Sequence, residues 1–171
     1  MTPEEFAKYT PLLIGWIESA LQEAAPLARP VNECGFSRLS SYYSKETLRS
    51  TKVAVVDRLP LPPLTQMGLS GFQGFERGDY GGITYLDTFF VRRSDRTESL
   101  YFHELVHVIQ WRLLGPEKFL AAYAAGLEQF GYFNSPLEAM AYQAQATFES
   151  SSVPFDAEKL VFDKLSGISV G

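Results

Sequence analysis

Apolar residues recur at helical spacing from Leu12 to Ala25, with Leu13, Ile14, Ile17 and Leu21 on one face. This predicts a helix that Pro26 and Pro30 bring to an end. Upstream, Thr2-Pro3-Glu4-Glu5 reads as a helix start, with a Thr cap, Pro at the first helical position and Glu where a capping box wants it. Thr10-Pro11 restarts the helix. Phe36, Leu39, Tyr43 and Leu48 are loosely periodic and predict a short second helix within residues 36–50. Then the texture changes. Val53, Val55 and Val56 make a β-branched run before Pro60, Pro62 and Pro63, which reads as a strand and a rigid exit loop. Residues 64–82 carry six glycines and predict mostly loop. The aromatic and β-branched stretch from Ile83 to Val91 predicts a second strand. The preceding "GDYGG" reads as a turn, with a hairpin link to a short strand around Gly71–Phe75.

After Ser94 the pattern is helical throughout. One helix is expected from about Thr97 to Leu114, and Gly115-Pro116 serves as stop and restart. A second runs from about Pro116 to Gln129. A third starts at Ser135-Pro136 and continues through "LEAMAYQAQATFES", and the tail from Val153 adds a short one. Helices, a small sheet and helices follow in blocks, which points to an α+β fold rather than an alternating α/β one. At 171 residues the chain fits one domain, 1–171. Its expected parts are a helical segment 1–50, a small sheet within 51–93 and a helical segment 94–171.

Composition narrows the functional classes. The net charge of −5 argues against a nucleic-acid footprint, which needs a basic face. The densest basic patch, "VRRSDR", has Asp95 inside it and reads as a solvated loop. No apolar run approaches the ~18 residues of a membrane span. Cys34 is the single cysteine, so no internal disulfide forms, and a reducing compartment is expected. "MTPEEFAKYT" lacks the basic and apolar regions of a leader, so the expectation is a cytoplasmic protein.

Both histidines of the chain lie in "SLYFHELVHVIQWRLLG", as His103-Glu104-Leu105-Val106-His107. Residues four apart share one helical face, one turn above each other. Two imidazoles so placed can reach one Zn²⁺ at ~2.0–2.1 Å, with Glu104 beside them to take a proton from a water that the metal activates. Chance alone gives this arrangement of two histidines and a glutamate about one time in a thousand. The helix is apolar nearly all round, so a His-Glu-His triplet in its middle would be buried and costly unless paired or bound to metal.

With both histidines used, the third protein ligand is neither His nor part of a cysteine-rich set. A carboxylate gives the His₂Glu set that leaves a position for water. Glu138 is the candidate, 31 residues after His107 at the start of the third helix, followed by Ala139, Ala141, Ala144 and Ala146, which would let two helices approach closely. Ser135-Pro136-Leu137-Glu138 also fits a capping box, so Glu138 has a competing structural role. Glu128 and Glu149 are weaker alternatives.

"HELVHVIQW" followed by "NSPLEAMAY", with "GGITYLDTFFV" entering before the motif helix, resembles the gluzincin branch of zinc metallopeptidases in its minimal forms. The resemblance covers roughly residues 53–148. It implies a zincin-like fold, one zinc bound by His103, His107 and Glu138, Glu104 as general base and acid, and a peptide or protein substrate. The larger gluzincins add a histidine that steadies the oxyanion, and this chain has none left. Tyr142, four residues after Glu138 and so on the same face, is a candidate stand-in. Tyr132, Tyr85 and Tyr101 are rivals, and each competes with a plain core role. The strand at Ile83–Val91 could hold an extended peptide by edge pairing, and Phe89 or Phe90 could line an apolar specificity pocket. Two other functions compete with peptide hydrolysis: a zincin-fold regulator or binding module with a zinc site, and a non-peptidase metal hydrolase. Oligomeric state is not specified by the sequence.

Overall fold

The computed structural model describes residues 1–167. Thr2 caps α1 (Pro3–Ala7) in the reciprocal way its sequence predicts: its hydroxyl accepts from the Glu5 amide, and Glu5 accepts from the Thr2 amide. α2 (Thr10–Ala24) buries Leu13 and Ile17 from its periodic stripe. A two-residue β1 (Arg29–Pro30) follows, then a 3₁₀ turn at Ser37–Ser41 and α3 (Lys45–Ser50), capped by Ser44. β2 (Lys52–Val56) is the expected valine-rich strand.

Two sequence expectations change here. No strand forms near Gly71–Phe75; a 3₁₀ turn at Ser70–Phe72 leads into α4 (Gln73–Glu76). Leu69, Phe72 and Phe75 are spaced three apart, and that period puts them on one side of a tight turn against Phe6 and Leu13. The single strand over Ile83–Val91 is instead a hairpin, β3 (Gly82–Tyr85) and β4 (Thr88–Arg92). Leu86 turns the chain with φ of 56°, a left-handed conformation that a leucine rarely advertises in sequence.

The sheet order is β1-β2-β4-β3, with β2 and β4 parallel and the other two pairings antiparallel. β3 is therefore an edge strand. Alternate side chains of β4 serve opposite faces. Phe89 packs with Tyr101 and Phe102, while Phe90 packs with Ala54 and Trp111. Both are buried in the core, so neither lines an open specificity pocket.

α5 (Glu98–Phe130) runs through the centre, broken at Gly115, whose φ of 75° and ψ of 164° are not helical. The break falls at the expected Gly-Pro stop, and Pro116 begins the second segment. The first segment has no solvent-facing side at its middle: Tyr101, Phe102, Leu105, Val106 and Val108 are fully buried. It packs on β3 and β4, and against α6 (Pro136–Ser150) and α7 (Ala157–Gly167). Ala141 and Ala144 are buried at that junction, which lets α6 come close; Ala146 is exposed and takes no part. This is an α+β fold whose two motif-bearing helices, α5 and α6, are placed as in zincin folds. Among the described residues no helix is long and apolar enough to cross a membrane.

Candidate metal centre

His103, Glu104 and His107 lie on the buried first segment of α5, and Glu138 lies in the first turn of α6. All four are at most 5% exposed. The two histidine Nε2 atoms are 3.1 Å apart, and Glu138 Oε2 is 3.3 Å from each. A tetrahedral zinc with bonds of ~2.0–2.1 Å holds its donors about 3.3–3.4 Å apart. The three atoms therefore already stand at the spacing one zinc ion demands. Glu138 Oε2 is buried with no hydrogen-bond donor. A carboxylate oxygen without such a partner, aimed at two imidazole nitrogens, fits a metal ligand.

The outer contacts orient these donors. His107 Nδ1 meets Gln110 Oε1 at 2.8 Å, and the Gln110 amide nitrogen donates to the Leu137 carbonyl at 3.0 Å. His103 Nδ1 meets Gln145 Oε1 at 2.9 Å, and the Gln145 amide nitrogen donates to Ser99 Oγ. The second bond of each glutamine fixes its amide orientation. Each glutamine oxygen accepts from an Nδ1–H, so both rings turn Nε2 toward the centre, the nitrogen a metal would take up in place of a proton. Tyr123 donates to Glu138 Oε1 at 2.5 Å, leaving Oε2 for the centre.

Charge settles in the same sense. Burial opposes ionisation of Glu138, but His107 and His103 outweigh it and hold the carboxyl below its ordinary range. Burial likewise opposes charge on His107, and the adjacent Glu138 overrides it, raising His107 to about 9 in the metal-free chain. Glu104 is pushed up, chiefly by burial, with the two histidines pulling the other way.

Glu104 stands beside the triad and is held in place. Thr84 Oγ1 on β3 donates to its Oε2 at 2.7 Å. A Cβ on Gly82 would come within 2.5 Å of its Oε1, so the carboxylate lies directly against bare backbone. Among the described residues, three His, Cys, Asp or Glu side chains converge on the centre, not four. Three protein ligands leave one position of a tetrahedral ion open, the arrangement of catalytic rather than structural zinc sites.

The competing roles of Glu138 are now separable. Ser135 does begin α6, but its hydroxyl makes no capping bond and has no partner. Glu138 reaches the histidines instead of the helix start. Glu128 pairs with the N-terminal ammonium, and Glu149 contacts Ser99 and Gln145, so neither alternative joins the ligand cluster.

The tyrosines also sort themselves. Tyr85 donates to the Pro60 carbonyl, and Tyr101 accepts from Arg96. Tyr142 lies across the His103 ring with centroids 4.5 Å apart and remains 36% exposed. Tyr132 and Tyr80 pack with tilted rings, centroids 4.8 Å apart, beside the same centre. Burial, aided by Glu138, raises Tyr80 to about 12 and Tyr132 further, so both keep their hydroxyl protons.

Sequence reasoning missed Gln110, Gln145, Thr84 and Tyr123. Gln110 had a signal, as a polar residue three positions after His107 on an otherwise apolar helix. Gln145 follows Glu138 by seven, two turns along the same face. Thr84 and Tyr123 had none.

Comparison with protein-family models, curated proteins and solved structures finds no match. The buried His103-Glu104…His107-Glu138 cluster has gluzincin-type spacing, and its triad of donors matches the His₂Glu ligand set of zinc metallopeptidase active sites.

Proposed function

We propose that this chain hydrolyses peptide bonds, with one zinc ion held by His103, His107 and Glu138. The observation that carries the reading is the triangle of three buried donor atoms, with edges of 3.1, 3.3 and 3.3 Å. When bound, zinc supplies a Lewis acid that acidifies water and polarises a carbonyl. Glu104 is the general base: its carboxylate accepts the proton of the attacking water and returns it to the leaving amine. Thr84 keeps one of its oxygens fixed while this happens. Tyr142 donates its hydroxyl proton to the developing oxyanion, with Tyr132 as the nearest rival donor. β3 is the edge strand beside the cleft, and its outer edge, apart from the Thr84 carbonyl that the Trp111 indole occupies, serves an extended peptide. An open region of about 350 Å³ lies between Asp79–Gly82 on one side and Tyr142 and Gln145 on the other, with His103 and Glu104 in its floor.

A catalytic role fits better than a zinc-bearing binding module. A binding module has no need to hold Glu104 by Thr84 against the bare backbone of Gly82. Residues 1–171 act as one unit in this reading. The net charge of −5 argues against a nucleic-acid partner. The lone half-buried thiol of Cys34 suits a reducing, cytoplasmic setting.

The test is metal content beside cleavage. Protein purified without chelator should carry close to one zinc per chain and cleave an unfolded protein substrate. A chelator should abolish cleavage and added zinc restore it. Absence of zinc after reconstitution would overturn the reading.

A narrower expectation concerns Gly82→Ala. The added methyl must displace the Glu104 carboxylate, and a shift of about 1 Å at a reacting group costs roughly a hundredfold in rate. Zinc content should not change. Unimpaired turnover would show that Glu104 works from another position.

A further inference from the structure

The metal centre stands between two cavities of opposite character. The outer one is the open, half-polar region already described. The inner one, of about 100 Å³, extends from His107, Glu104 and Glu138 into the molecule. Its polar groups lie at the metal end. Beyond them the Trp111 indole N–H is tied to the Thr84 carbonyl, and the Tyr85 hydroxyl to the Pro60 carbonyl, so these residues turn only apolar surface inward. The far wall is Phe6, Leu13 and Ile17 of α1 and α2, with Leu64, Leu69 and Phe72 from the loop before α4. Tyr80, Gly82, Glu104 and Tyr132 border both cavities, so the two meet at the metal centre.

We infer that this inner chamber receives a bulky apolar side chain of the substrate, aromatic or leucine-sized, from a residue adjoining the scissile bond. The inference rests on the peptidase reading and adds the substrate class to it. An apolar cavity of this scale favours a small hydrocarbon group over water along its apolar walls. An unfilled chamber lowers stability, because its lining loses packing partners. Its position, opening beside the proposed base and two metal ligands, gives such a chamber a use. The N-terminal helices then have a role beyond completing the core: they close the chamber and set the size of group admitted. Peptides with glycine or alanine at that residue leave the chamber unfilled and forgo its binding energy.

The first test needs no metal. Toluene should bind the chelator-treated protein saturably by calorimetry and raise its Tm. Ala124→Leu, which grows into the chamber from α5, should abolish toluene binding without altering zinc content. Leu69→Ala only removes volume, and should keep toluene and gain naphthalene. The second test uses the zinc-loaded protein and reads binding rather than turnover. Phenylalanine hydroxamate should bind about a hundredfold more tightly than glycine hydroxamate, as expected for burial of one large side chain. Ala124→Leu should collapse that ratio. No toluene binding, or equal hydroxamate affinities on zinc-loaded protein, would overturn the chamber assignment. If zinc fails to bind while toluene binds, the peptidase reading falls, and the substrate role of the chamber falls with it. Zinc uptake with no hydrocarbon binding sinks the chamber alone.

Discussion

Glu104→Gln should lose about 10²–10⁴ of peptide hydrolysis while keeping its zinc. Glutamine matches glutamate in shape. The Thr84 hydroxyl that now donates to Oε2 at 2.7 Å can still donate to an amide oxygen in the same place. The wall of Gly82 backbone is untouched. The three ligand atoms belong to other residues, so metal affinity should stay close to that of the parent. What disappears is the basic oxygen, because an amide does not accept a proton near neutral pH. Burial raises Glu104 above an ordinary carboxyl, against the pull of His103 and His107. The measurement is kcat on a peptide that the parent cleaves, beside zinc content and Tm of both proteins. A variant that holds zinc, melts like the parent and still turns over within a few-fold would show that another group is the base. A fall in zinc content together with activity would instead place Glu104 among the ligands.

The parts of this site differ in how well the chain announces them. His103, Glu104 and His107 are legible because one helix carries them all, and a helix converts a spacing of four into a shared face. The break at Gly115-Pro116 is equally local. Glu138 is legible only as one of two readings. A glutamate three after a serine at a helix start describes a cap and a ligand alike, and the choice depends on what stands opposite. The bare Ser135 hydroxyl and the unpartnered Glu138 Oε2 make that choice, and both are facts of tertiary packing. The β3–β4 turn escapes the pattern because Leu86 takes a conformation usually left to Gly or Asn. Thr84 meets Glu104 across a sheet-to-helix contact, and Tyr123 meets Glu138 from the far segment of α5. The inner chamber is the least legible. Its walls come from residues 6–17, 62–85 and 104–138, and no local period connects them.

Glu138→Ala should weaken zinc binding by two to three orders of magnitude. Zinc held at a full protein site binds with ~10–16 kcal/mol, and losing one donor of three or four removes about 3–4 kcal/mol of it. The loss is separable from simple unfolding. In the metal-free chain Glu138 faces His107 as a buried charge partner, and removing one member of such a pair is itself destabilising. Glu138→Gln is therefore the companion variant. It keeps the volume of the side chain and an oxygen for the Tyr123 hydroxyl, and removes the anionic donor. Competition against a chromogenic chelator gives the affinity of each form, and Tm with and without zinc gives the linkage. In the parent, zinc should raise Tm, since an ion that binds only the folded chain stabilises it by mass action. In Glu138→Gln that rise should shrink or vanish, even where the metal-free protein melts as the parent does. If instead Glu138 served only as a helix cap, the pattern would invert: both variants would lower Tm in the absence of metal, and zinc would still bind with parental affinity. Ser135→Ala sharpens the contrast, because its hydroxyl has no partner to lose and its removal should leave zinc binding unchanged.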